Sequence, residues 1–271
     1  MKKIFVCVLS MFLCACTVTS SSTAVSTVNE KETKVSQNFS DEMKIEKEVD
    51  MEEEAGADSV ERMGDHEGSP YFTQLDFYNM ESTDSLTILP KFKTIQQSTE
   101  WSCGVDAVMM VLEYYNKLDG YNEETLAQMR TNGLDYAATT LESVLKIFDE
   151  VGGFEVASTY DYTEENMHNE ITLDMIQDYL SNGVPVIVAW NDWGGHWQVI
   201  IGYDTMGTED YTGDDVIIVA DSYDTTDHNQ DGYGVYGAER FYYNWTMYDF
   251  FEGTKDNERD LLFAAAKPVE E

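Results

Sequence analysis

Cys103 sits in Gln97-Ser98-Thr99-Glu100-Trp101-Ser102-Cys103-Gly104, directly ahead of an apolar run that reads as a helix. A thiol attacks as its thiolate, and free cysteine is mostly protonated near neutral pH. Unpaired N–H groups at a helix N-terminus favour an anion beside them. A cysteine that opens a helix is therefore placed to be a nucleophile. Gly104, next along, leaves room for a substrate backbone to approach. The chemistry needs three further parts: an imidazole base, a side chain that orients it, and a donor for the oxyanion.

The chain has four histidines, and His196 alone stands in a context suited to that role. It lies in Gly194-Gly195-His196-Trp197-Gln198-Val199-Ile200-Ile201-Gly202-Tyr203, where two glycines precede a β-branched run. That places it at the entrance of a strand. A structural histidine at a strand start fits the same position. His66 falls in an acidic low-complexity stretch, His168 in a polar loop and His228 in an aspartate-rich loop.

The elements that must hold these residues follow from periodicity. Residues 104–118 read as a helix with Val105, Val108, Met109, Leu112 and Tyr115 on one stripe. Helices are also expected over 122–130, 141–151 and 172–182, the last closed by Gly183. Extended segments are expected over 72–79, 87–92, 154–158, 184–190, 196–203 and 215–220, with closing strands over 239–243 and 261–266. Helices come first and strands gather late. That order predicts an α+β fold with a mainly antiparallel sheet.

Taken together, Gln97 six positions before Cys103-Gly104, then Gly195-His196-Trp197 running into a β strand, then Val219-Ala220-Asp221, resemble the papain-like cysteine peptidases. The similarity is to the bacterial branch typified by the bacteriocin-processing, double-glycine leader peptidases. It covers about residues 89–221. The resemblance implies a papain-like fold, with the cysteine helix packed on the sheet. It implies Cys103 as nucleophile and His196 as general base and then acid. Gln97 would donate its side-chain amide to the oxyanion, with the Cys103 backbone N–H as partner. Asp221 would accept from the His196 ring and fix its tautomer, as a carboxylate on a neighbouring strand is able to do. Asp214, Asp215 and Asp224 compete for that role, and Asp221 is preferred because it directly follows the apolar strand 216–220. Gln96 competes with Gln97 at a spacing of seven. Trp101 either walls the cleft or packs.

The other three cysteines lie near the start of the sequence. Lys2 and Lys3 precede a short apolar stretch, 4–13, too short to span a bilayer comfortably and read as a signal peptide. Leu13-Cys14-Ala15-Cys16 is similar to the bacterial lipobox, which implies cleavage before Cys16 and a lipid on it. Ordinary secretion with later cleavage is the alternative. The expected organisation is a signal over 1–15, a disordered acidic tether over 16–69 and one domain over 70–271. Export points to an extracytoplasmic peptide or protein substrate rather than an intracellular leader. With Cys103 the one thiol of the domain, no internal disulfide is expected there.

The net charge of −36 argues against nucleic acid as a partner, because phosphate binding requires the opposite sign. Asp227-His228-Asn229-Gln230-Asp231-Gly232-Tyr233 matches the first half of a calcium loop. Its ligands would be Asp227, Asn229, Asp231 and the Tyr233 carbonyl, and the ion would be structural. The twelfth position is Ala238 rather than an acid, and an Asx-rich turn fits the same residues. No cofactor is required by this reading, and no zinc spacing is present. The aromatics 241–251 read as core packing of the last strand, with a binding platform as the other reading.

The expected activity is acyl transfer to water, cleaving peptide bonds through a Cys-His-Asp triad and a thioester. A catalytically silent peptide-binding lipoprotein, or a thiol acyltransferase or transpeptidase, would use the same scaffold.

Overall fold

The structure is a computed structural model, and it describes residues 41–60, 75–192, 194–208, 210–225, 230–247 and 253–269. The signal region, Cys16, Asp227, His228 and Asn229 lie outside the described residues. So do Trp193, Tyr248, Phe250 and Phe251.

The helices come early. Helix α1 spans Cys103–Tyr114, α2 Glu123–Gln128 and α3 Leu141–Val151. Residues 103–112 of α1 are all buried, so this helix is surrounded by the rest of the domain. Asn122 and Thr125 form a reciprocal capping box on α2, which satisfies donors the first turn leaves free. Thr140 caps α3 by accepting from the Ser143 N–H. Leu141, Val144, Ile147 and Phe148 then bury one stripe of α3 while Glu142, Asp149 and Glu150 stay exposed.

One antiparallel sheet of seven strands carries the rest. In chain order these are β1 Leu86–Ile88, β2 Phe154–Ser158, β3 Val186–Trp190, β4 His196–Asp204, β5 Val216–Ala220, β6 Tyr233–Gly237 and β7 Leu262–Pro268. Their order across the sheet is β2-β7-β3-β4-β5-β6, and β1 continues the β3 side of β4. All of β3, and β4 through Tyr203, are buried, so both faces of the centre are covered. Continuous apolar runs rather than alternation are the sequence signature of such strands. Helix α1 lies against β4 and α3 against β7. Helices α4 Met167–Glu170, α5 Leu173–Ser181 and α6 Ala238–Trp245 complete the fold. The α+β reading with a mainly antiparallel sheet holds. Among the described residues no helix is long and apolar enough to cross a membrane.

Three expectations change. Residues 239–243 form α6, not a closing strand. Ala238, Phe241 and Trp245 recur at helical spacing and are buried, whereas the aromatic content alone had suggested β. Residues 77–79 make a 3-10 turn capped by Asp76, and the extended stretch after it shortens to β1. The third change concerns the tether. Residues 41–60 pack on the domain. Met43 and Ile45 are buried, and their backbone exchanges hydrogen bonds with Thr94. Gly56 presses on the Gln97–Thr99 backbone so closely that a Cβ there would lie 2.4 Å from the Ser98 carbonyl carbon. A few apolar anchors spaced among acidic residues suffice for docking, and overall composition concealed them.

Candidate active site

Cys103 is the first residue of α1, and its side chain is buried at 8% exposure. Gly104 is required by packing rather than by substrate: an added Cβ would meet Thr139 at 2.8 Å and the Trp197 ring at 2.9 Å. The space expected to admit a substrate backbone is thus filled by the protein's own side chains. The effect is to press the start of α1 onto β4 and hold the sulfur in place. Trp101 packs instead of standing free. It is 6% exposed, and the Arg130 guanidinium lies 4.0 Å over its ring.

His196 opens β4, and Cys103 is close enough to act on the charge of its ring. Nε2 lies 2.6 Å from Asp221 Oδ1. Nδ1 is therefore the nitrogen left for sulfur. Asp221 follows β5 directly, as the apolar run before it implied. Its Oδ1 also accepts from the Tyr223 N–H at 2.7 Å, and its Oδ2 from Gln198 Nε2 at 2.7 Å. A carboxylate with this many donors stays ionised. Burial would raise Asp221, but His196 and these donors outweigh it and hold it below the ordinary carboxylate range. Burial likewise disfavours the His196 cation, yet Asp221 and then Cys103 raise it well above the usual imidazole range. The competitors are elsewhere engaged. Asp215 accepts from the Tyr203 hydroxyl, Asp224 from the Gly232 N–H, and Asp214 from Thr208.

Gln97 is 1% exposed and fixed from both ends. Its Oε1 accepts from Ser222 Oγ at 2.7 Å, and its Nε2 donates to the Thr99 carbonyl at 2.7 Å. Its backbone N–H donates to the Ser222 carbonyl at 3.0 Å. Asp221 and the anchor of Gln97 are therefore consecutive residues. One amide hydrogen of Gln97 is committed to Thr99, and Nε2 carries a second.

A family model described as the Peptidase_C39 like family matches residues 89–250. The chain belongs to that family. The C39-like match takes in Gln97, Cys103, His196 and Asp221, and it begins after the docked residues 41–60. Papain-like cysteine peptidases are thus the group to which this protein belongs, and its activity class is that of a cysteine-peptidase-type hydrolase. Comparison with curated proteins finds no match. Among solved structures, 16 chains match. One is the crystal structure of a double glycine motif protease from an AMS/PCAT transporter in complex with the leader peptide. It is 20% identical at a TM-score of 0.37, over 69% of this chain and 96% of that one.

Several residues of this C39-like site were not legible as such in the sequence. Gln198 shares the side of β4 with His196 and holds Asp221, while its own Oε1 accepts from Trp190 Nε1 at 2.7 Å. The two-residue spacing on a strand was the available signal. Arg130 is buried at 1% exposure and donates to the carbonyls of Gly133, Asp135 and Ala137. Burial draws it down to about 10, against Cys103 and Asp135, which favour its charge. Nothing in its flanking sequence marked it.

The calcium expectation meets only half of its residues. Asp227 and Asn229 are outside the described residues. Asp231 Oδ1 accepts from the Tyr233 N–H at 3.0 Å, as in an Asx-type turn. Among the described residues no group of three or more His, Cys, Asp or Glu is gathered as a metal site.

Proposed function

We propose that the protein is an extracytoplasmic thiol hydrolase that cuts peptide bonds through a thioester on Cys103. His196 Nδ1 takes the thiol proton, and the sulfur attacks the scissile carbonyl carbon. The C–S bond forms as the carbonyl electrons move to oxygen. The Cys103 N–H and the second Gln97 amide hydrogen receive that oxyanion. His196 then returns the proton to the leaving amine, and water attacks the thioester with His196 again as base. Asp221 keeps the imidazole oriented and supports its positive form.

The single observation that carries this reading is the buried His196–Asp221 pair, with Nε2 at 2.6 Å from the carboxylate and Cys103 acting on the same ring. The crystal neighbour described above was solved with a leader peptide, which supports a peptide as the ligand class. The proposal extends to location: export, with a lipid on Cys16, carried by the lipobox-like Leu13-Cys14-Ala15-Cys16. A structural calcium at Asp227, Asn229, Asp231 and Tyr233 belongs to the same proposal. Its check is thermal unfolding with calcium against a chelator.

The deciding experiment is alkylation of Cys103 by iodoacetamide across pH, in wild type and His196→Ala, together with digestion of a defined peptide library. Reactivity that depends on His196, with cleavage lost in Cys103→Ser, supports the hydrolase. Equal reactivity in both proteins and no cleaved peptide turn the reading to a silent peptide binder. Ligated peptides in place of cleaved ones turn it to a transpeptidase.

A further inference from the structure

Asp106, one turn into α1, is 0% exposed, and Glu123, the first residue of α2, is 1% exposed. The two carboxyl groups are close enough for Glu123 to be the strongest neighbour acting on Asp106. Neither Asp106 oxygen, nor Glu123 Oε2, meets a donor in hydrogen-bond geometry from any described residue. Two buried carboxyls acting on each other favour a proton on one of them, since two buried like charges cannot both persist. The titratable groups acting on Asp106 are Glu123 from α2 and Cys103 from its own helix; the Ser102 side chain favours the ionised form and is outweighed. Burial first, and then Glu123, hold the Asp106 carboxyl well above the usual range.

The neighbours of this pair are the two ends of one short segment. Glu123 Oε1 accepts the Ser98 N–H at 3.0 Å, immediately after Gln97. The Asp106 N–H donates to the Ser102 carbonyl at 3.0 Å, immediately before Cys103. Between them, Thr99 Oγ1 donates to Ser102 Oγ at 2.8 Å and accepts from the Trp101 N–H at 3.2 Å. Both oxyanion donors therefore hang on a segment bonded at one end to Glu123 and placed at the other beside the Asp106 side chain.

We propose that Asp106 and Glu123 form a buried carboxyl–carboxylate pair whose work is to position the Gln97–Cys103 segment, and with it both oxyanion donors. They are positioning residues and touch no reacting atom. The neutral member also keeps a second negative charge away from the thiolate one turn earlier on α1. This inference rests on the hydrolase reading above.

The test compares two reactions of the same sulfur. Acylation by p-nitrophenyl acetate passes through an oxyanion; alkylation by iodoacetamide does not. In the full chain, Asp106→Ala and Glu123→Ala are expected to slow acylation roughly 10- to 100-fold, the scale set by misplaced oxyanion donors. Alkylation at the same pH should stay within about twofold, because no oxyanion donor takes part in it. Asp106→Asn supplies an amide donor toward Glu123 and should restore most of the acylation rate. It should also carry that rate to higher pH than wild type, because it has no proton to lose. A direct readout independent of activity is the infrared band of a protonated carboxyl at neutral pH, present in wild type and absent from Asp106→Asn. Acylation and alkylation falling together, no rescue by Asp106→Asn, or no such band would each overturn the proposal. Loss of His196 dependence in the wild-type reactions would instead overturn the hydrolase reading, while the infrared band would still report on the pair.

Discussion

At the scale of single residues the site is governed by how each charge is compensated. Asp221 has donors on both oxygens, so it remains an anion and imposes the cationic form on His196. The ion pair's effect on stability follows from its two shifts. Asp221 is lowered and His196 raised, so the contribution is complete between about pH 4 and 6.5. It fades as pH falls through the folded Asp221 value or rises through the folded His196 value. Asp221→Asn removes the largest group raising His196. The alkaline limb of Cys103 alkylation should then move to lower pH, and peptide turnover should fall on the order of 100-fold or more. A pH–rate profile of that variant that overlays wild type would refute the assignment. Gln198→Ala leaves the carboxylate in place and frees one of its oxygens. Its effect should be smaller, roughly 10-fold in kcat with KM unchanged, measured on the best peptide of the library.

The elements place these residues by close approach. Helix α1 is buried all round, so its register against β4 is set by shape, and Gly104 is the point of contact with Thr139 and Trp197. Gly104→Ala puts a methyl where two side chains already are. Overpacking of this kind costs about 1–3 kcal/mol. The thermal midpoint should drop, and turnover should fall with it because Cys103 is the adjacent residue. An unchanged midpoint would show that Thr139 and Trp197 yield. Asp106 adds a pH term to the same helix. Its folded pKa is raised, so the folded chain holds a proton that the unfolded chain releases. Stability should therefore decline as pH rises from about 4 toward the folded value, and urea unfolding of Asp106→Asn should show a shallower slope over that range. The same acid in an exposed first turn would favour the helix dipole. Burial opposite Glu123 reverses the expectation.

Across the whole molecule, the docked residues 41–60 form an acidic stretch tied to the segment that leads into Cys103. The Met51 N–H donates to Ser98 Oγ, the Gly56 N–H to Glu100, and the Asp58 N–H to the Gln97 carbonyl. Burying Met43 and Ile45 contributes about 1.5–3 kcal/mol each. Gly56 has φ 73 and no room for a side chain. Gly56→Ala should release this strap, seen as faster amide exchange over 43–59 and a lower thermal midpoint. Unchanged protection would mean the strap docks without Gly56. The sequence by itself determined the family resemblance and most of the order of the elements. Cys103 before a helix, His196 at a strand entrance and Asp221 after an apolar strand are local signals. Local signals survive because backbone periodicity acts over a few residues. Only the tertiary structure decided which side chains compensate one another. Gln198 under Asp221, Arg130 over Trp101, Asp106 against Glu123 and Met43 beside Thr94 are contacts made by folding. Whether a buried acid is an anion, a shared proton or a liability depends on what lies opposite it, and that partner comes from another element.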